Sequence, residues 1–500
     1  MEENTKITYT KNMNKFNFNS TLNIQIDNNA NIKQMIDVNA YMFDQKIECG
    51  NGKAIVSGKI GVKVLYLDTD NMTNTVSDVQ NFKETYLDNS LTSDTFLNIS
   101  NHTITHNILS TEGVLKINCE VSITPIAYLN LLVPYNLQNT EKFITKKSEL
   151  NTNYISNFVN TSFEFTSNLE TRDSVSKILN LNCYFTPEKT TAQDGYAIVE
   201  GKMVTHLLYE SMSDNETEIK ELREISNVKC DVEIGDINEN QTLDLSFTID
   251  KSQEEISTEI EDNTSVVSVQ NKINVTGVCL KPVTIDVIDD LYSVENDIET
   301  STTKREYNKD IKNYSLSEVI SNEFNLTTDE PAIDEVLSNL NITPEITNTY
   351  IKNDNLYLEG IVTSNLIYVD ENKELKHKHT EIPFIIDTKI QTESIGCVHN
   401  SISVIDSKAK VKRGTIIEME YSLFVHISMC EKETHDIIDN FTIGKQLDFS
   451  KYDFQIFIAK QNETMWELCK RIKISPDDIV KFNKDLPLIM NGGEKIIIKR

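Results

Sequence analysis

The residue types suited to chemistry are few and scattered along this chain. His377, Lys378 and His379 set two imidazoles on one side of a strand, as a metal site needs, but no third ligand stands near them, and the segment reads as an exposed polar strand. His102 and His106 have helical spacing, yet Thr103, Ile104 and Thr105 between them favour strand or loop. Eight cysteines stand at positions 49, 119, 183, 230, 279, 397, 430 and 469, with no close pairs in sequence. They read as thiols of a reducing compartment, neither a disulfide framework nor a zinc site. No nucleophile elbow, phosphate-binding Gly-rich loop or His-Glu-x-x-His occurs, and carboxylates are too common for spacing to single out a catalytic pair. The expectation is a protein that is not an enzyme and uses no cofactor or metal.

The elements that position these residues are β-rich. Five hundred residues exceed one hydrophobic core, so several domains are expected. The formal net charge of −29 argues against nucleic acid or anionic lipid as partner and leaves proteins or neutral glycans. No run approaches the roughly 18 to 20 apolar residues of a membrane span, and the stretch from Ile126 to Tyr135 is too short and is broken by Asn130 and Pro134. Met1 to Thr5 lacks a basic start and an apolar core, so a cytosolic protein with no membrane insertion is expected.

One segment is written three times. Lys53 to Tyr66, Tyr196 to Tyr209 and Leu356 to Tyr368 each hold a Gly eight residues before a Tyr: Gly58 and Tyr66, Gly201 and Tyr209, Gly360 and Tyr368. With a side-chain period of two, both lie on one strand face. The Gly marks a bulge or close backbone approach, and the Tyr packs its ring in the core. Met35, Ile178 and Leu337 each stand 23 residues before that Gly, in short stretches (Ile32 to Ile36, Val175 to Leu179, Ile333 to Leu337) that suit a helical turn or two. Polar stretches at Asn136 to Asn157 and Glu295 to Tyr314 read as linkers or exposed hairpins. The marker glycines are far enough apart for each copy to own a core, giving β-rich domains at residues 1–154, 155–310 and 311–445.

The tail, residues 450–500, is different. Tyr452, Phe454, Ile456 and Ile458 alternate, and Thr464 with Glu467 forms a capping box for a helix from Met465 to Ile472. Ser475 and Pro476 start a second helix, with Ile479, Val480 and Phe482 as its buried face, and Gly492-Gly493 turns into a strand at Lys495 to Ile498. Tyr452 to Arg500 carries nine Lys and Arg against seven Asp and Glu, a net of +2 that leaves −31 on everything before it, so the tail can fold back on the chain or meet an acidic partner. Its lone Trp466 reads as helix packing.

Thr464, Met465, Trp466, Asn483 and Gly493 fit, in order and spacing, the pattern of a LysM domain, which this tail resembles; Asn462-Glu463 replaces the family's Gly-Asp. The resemblance implies a β-α-α-β fold and a shallow groove between two loops that binds N-acetylglucosamine glycans such as peptidoglycan. The candidate binding residues are Asn462, Glu463, Thr464, Met465, Asn483, Leu486, Leu488 and Ile489. Tandem β-rich domains ahead of such a module resemble the SipL-like spore coat morphogenesis proteins. That resemblance implies a non-enzymatic scaffold of the mother-cell cytoplasm that tethers the coat to the forespore surface, with a SpoIVA-like ATPase as partner. The alternative is a peptidoglycan-binding protein of the spore cortex or cell wall. The fold class expected is mainly β, three tandem β-rich domains followed by a small LysM domain.

Overall fold

The computed structural model describes residues 4–25, 32–99, 102–111, 114–134, 143–213, 216–250, 255–261, 264–309, 311–326, 330–392, 395–448, 454–483 and 486–499. The chain is mainly strand, because its apolar residues recur at a period of two, and among the described residues the two helices lie in the tail. The first copy holds β1 (Asn4–Asn12), β2 (Phe16–Gln25), β3 (Ile32–Gly50), β4 (Lys53–Asp68), β5 (Thr73–Leu87), β6 (Phe96–Asn98), β7 (His102–Thr111), β8 (Val114–Ile123) and β9 (Ile126–Pro134). In the second, β10 (Ile144–Thr171) does the work of β1 and β2 together. It is followed by β11 (Val175–Ala192), β12 (Tyr196–Ser213), β13 (Glu216–Glu233), β14 (Thr242–Ile249), β15 (Glu255–Glu261) and β16 (Thr264–Tyr292). The third has β17 (Asn296–Asn308), β18 (Lys312–Asn325), β19 (Ile333–Lys352), β20 (Asn355–Asp370), β21 (Leu375–Gln391), β22 (Cys397–Val411), β23 (Ile416–Cys430) and β24 (Lys432–Gln446). The tail adds β25 (Phe454–Ile458), α1 (Met465–Ile472), α2 (Pro476–Phe482) and β26 (Lys495–Lys499).

Each copy packs a three-stranded meander (β3-β4-β5, β11-β12-β13, β19-β20-β21) on a second sheet made by its first and last strands, as in β2-β8-β7 or β18-β23-β22. A separate core fills each pair of sheets, around Val62 and Ile117, Leu207 and Val275, and Leu366 and Leu423. Tyr66, Tyr209 and Tyr368 lie in those cores, as the alternation implied. The residue before each Tyr points to the opposite face of the meander. There Leu65, Leu208 and Ile367 meet in one buried cluster with Ile36, Leu179 and Leu340, so the three copies share a junction. Polar contacts surround it: Asn39 donates to Asn182 at 3.1 Å, and Asn341 and Asn365 donate to Asp37 at 2.6 to 2.7 Å. Arg223 of the second copy pairs with Asp406 of the third at 3.0 Å and donates to the Ile405 carbonyl at 2.8 Å.

In every copy a bulge in the preceding strand lies beside the marker Gly, between Phe43 and Lys46, Pro187 and Lys189, and Ile346 and Asn348. A Cβ on Gly201 or Gly360 would overlap the carbonyl oxygen of Thr186 or Glu345. The close approach, more than conformational freedom, explains the glycines.

Two expectations are corrected. The stretches Ile32 to Ile36, Val175 to Leu179 and Ile333 to Leu337 are strand, not helical turns, since they pair with β4, β12 and β20 through bulged ladders. Met35 and Ile178 face Tyr66 and Tyr209, but Val336, not Leu337, faces Tyr368, because β19 carries one extra residue in the bulge between Leu340 and Thr343. The described parts of the polar stretches are strands, β10 from Ile144 and β17 from Asn296, while residues 136–142 lie outside the described residues. Tyr154 therefore falls inside β10, and β17 pairs with β24. Among the described residues no helix is long and apolar enough to cross a membrane.

Candidate functional site

The tail module is built from local signals. Thr464 caps α1 by accepting the Glu467 N–H at 3.2 Å, and the Glu467 carboxylate accepts the Thr464 N–H at 2.8 Å, closing the capping box. Ser475 caps α2, with Pro476 at its first position, where a missing N–H costs nothing. Asn483 ends α2 and ties it to β26: its side chain donates to the carbonyls of Ile479 and Ile497 and accepts the Ile497 N–H at 2.7 Å. Leu468, Cys469, Ile472, Ile479, Met490, Ile496 and Ile498 form the core. The two loops are joined by backbone bonds, Asn462 N–H to the Met490 carbonyl, Met490 N–H to that of Glu463 and Met465 N–H to that of Leu488.

The eight candidate residues fall into two groups. Glu463 is turned inward, 5 % exposed, and takes two hydrogen bonds from the Arg471 guanidinium at 2.6 and 2.8 Å and one from the Lys460 N–H at 2.9 Å. The guanidinium holds its carboxyl below the usual carboxylate range, against the opposing effect of burial. Thr464 and Asn483 serve the fold as described, and Met465 and Leu486 are half-buried against the core. Asn462, in the left-handed region at φ 62°, is exposed with Leu488 and Ile489, which are 82 % and 59 % exposed. Phe454, Ile456 and Ile458 also face solvent, with Ile497 opposite Ile456 on β26, so the apolar alternation of β25 lies on its outer face; Tyr452 is outside the described residues.

Sequence reasoning missed where the module sits. The Trp466 indole N–H donates to Asp290 at 2.7 Å, and Lys470 pairs with the other oxygen of that carboxylate at 2.6 Å. Tyr292 packs edge-on to the indole ring and its hydroxyl donates to the Ile474 carbonyl at 2.7 Å. The α1 face is thus docked on the end of β16; the one signal available in the sequence was the module's positive charge against an acidic chain.

A cleft of about 510 Å³ opens where the three copies meet, lined among others by Lys15 and His102, Phe185 and Ser246, and His399 and His426. Behind it, the buried Asp244 carboxylate of β14 accepts the hydroxyls of Tyr128 and Ser428 and lies 3.6 Å from His399 Nδ1. Burial alone would raise this carboxyl, but the neighbouring His399 and the hydroxyl of Tyr128 outweigh it and hold it below its ordinary value. One residue from the first copy, one from the second and two from the third meet in this knot, which fastens the copies together. His377 and His379 are exposed on β21, and among the described residues no three of His, Cys, Asp and Glu converge as metal ligands. No family model, no curated protein and no solved structure matches the chain.

Proposed function

We propose that the chain is a non-enzymatic scaffold of spore coat assembly that joins the coat to the forespore surface through protein contacts of its LysM-like tail. The partner implied by the resemblance is a SpoIVA-like ATPase, and the resemblance places the protein in the mother-cell cytoplasm. The observation that carries protein over glycan is the fate of Trp466. Tyr292 packs edge-on to its ring and Asp290 takes its indole N–H, so this tryptophan is engaged in docking the module on the body. The side chains left exposed at the loops, Leu488 and Ile489, are aliphatic and suit burial against a protein. A body of three copies locked at shared buried clusters supplies the rigid support such an adaptor needs.

The test uses the full chain. Its affinity for a purified SpoIVA-like ATPase and for peptidoglycan sacculi is measured beside that of L488S/I489S, after circular dichroism shows the variant folded. The proposal expects ATPase binding that weakens about tenfold or more in the variant, a loss of roughly 1.4 kcal/mol, and no retention on sacculi. Tight binding to sacculi, or ATPase binding untouched by the double substitution, would count against it.

A further inference from the structure

Cys397 opens β22 and Cys430 closes β23, and the antiparallel register sets them directly opposite each other. Opposed residues of an antiparallel pair have Cα atoms about 4.5 or 5.5 Å apart, inside the roughly 4.4 to 6.8 Å that a disulfide spans. The Cys397 thiol is in hydrogen-bonding reach of Cys430, so the sulfurs already face each other. Both are buried, 3 % and 2 % exposed, beside Ile126 and Tyr128 of the first copy and Val278 and Leu280 of the second. No other cysteine faces a cysteine across a ladder: Cys49 faces Ala54, Cys119 faces Ser20 and His106, Cys183 faces Thr205, Cys230 faces Val199, and Cys279 faces Leu243 and Asn157. Cys469 lies in α1.

We propose that Cys397 and Cys430 form a modification site, converted by a small disulfide such as oxidised glutathione into an intrachain disulfide that fastens the edge strand β22 to β23. One cysteine thiolate attacks a sulfur of the reagent, whose S–S bond breaks; a mixed disulfide forms and one small thiolate leaves. The second cysteine thiolate attacks the protein sulfur of that mixed disulfide and expels the other small thiolate. The two protons lost by the protein end on the two small thiols, so the protein gives up two electrons and the reagent takes them.

The position of the pair supplies both access and consequence. Cys397 and Cys430 stand at the ends of their strands, so the reagent reaches them by a local opening that parts this end of the ladder from Ile126, Tyr128, Val278 and Leu280, short of global unfolding. The hydrogen bond to Cys430, together with burial, pushes the Cys397 thiol up, which keeps the pair unreactive while the ladder end is closed. Strand β22 is also the one that Arg223 of the second copy grips at Ile405, Asp406 and Ser407. A link to β23 ties that grip to the core of the third copy.

The test incubates the full chain with oxidised glutathione, alkylates the remaining thiols and maps the peptides by mass spectrometry. The expected result is a linked peptide joining Cys397 to Cys430 and an intact mass lower by two hydrogen atoms; the linked peptide disappears in C397S. The proposal is overturned if the half-buried Cys49 and Cys230 take up glutathione while Cys397 and Cys430 are recovered as alkylated thiols. A link from either to a different cysteine overturns it equally. The readout on the parent chain depends on no variant folding.

Discussion

Trp466 and Asp290 are 176 residues apart in sequence, and the indole N–H of the one meets the carboxylate of the other at 2.7 Å. This contact sets the face that the tail module turns to the body, and it makes the lone tryptophan a reporter of both. Replacing Asp290 by Ala removes the acceptor of the indole and of Lys470 together. The expected cost to docking is about 1.5 to 3 kcal/mol, the range for hydrogen bonds to a charged group. Trp466 emission should shift to the red while far-ultraviolet circular dichroism stays near that of the parent. Unchanged emission would mean that the module does not rest on Asp290.

Acid should act on the module through Glu463. Its folded carboxyl lies below the ordinary value because of Arg471, so its stabilising contribution is fully present above the unfolded value of about 4.3. That contribution is lost as pH falls through the folded value. Trp466 emission followed from neutral pH downward in urea should show the module weakening below about pH 4.3. Glu463→Gln should be less stable at neutral pH and should show a shallower acid limb. Parallel limbs for parent and variant would remove the Arg471 pair from the account.

The glycines offer an internal control. An Ala at Gly201 or Gly360 drives its Cβ into a backbone carbonyl, whereas nothing lies within 4 Å of a Cβ at Gly50. Overpacking of this kind costs about 1 to 3 kcal/mol, and an unobstructed surface change stays within about 0.5 kcal/mol. Thermal midpoints should therefore fall for G201A and G360A and hold for G50A. If all three behave alike, close packing is not what the repeated Gly serves.

What could be read from the chain was what local chemistry specifies. The helix Met465–Ile472 was predicted with the bounds observed, because a capping box and its apolar spacing lie within one short segment. The stretch Ile32 to Ile36 looked helical because bulges between Ile32 and Gln34 and between Met35 and Asp37 break the period of two and leave apolar residues three and four apart. The polar strands β10 and β17 passed for linkers because their partners β16 and β24 lie more than a hundred residues downstream. At the candidate site the outward Leu488 and Ile489 could be named but not oriented. Glu463 stands among the candidate binding residues because nothing in its spacing from Arg471 marks an ion pair across the start and end of α1.

The junction of the three copies makes the sharpest prediction about the fold. Leu65 and Leu208 occupy matching places, one residue before the repeated Tyr, and are 3 % and 1 % exposed in one cluster with Ile367. Within a single copy neither would be buried by that copy's own core, since both point away from it. Each Leu→Ala change should therefore cost about 2 to 5 kcal/mol only because the copies meet. A double-mutant cycle isolates that meeting: residues sharing a cavity are expected to couple by about 0.5 to 3 kcal/mol, while independent sites add within roughly 0.3 to 0.5 kcal/mol. Urea unfolding of the parent, L65A, L208A and the double variant, followed by circular dichroism, supplies the four free energies. Coupling above that threshold establishes that residues from two copies share one packed junction; additive costs would separate the copies and leave each sandwich standing on its own core.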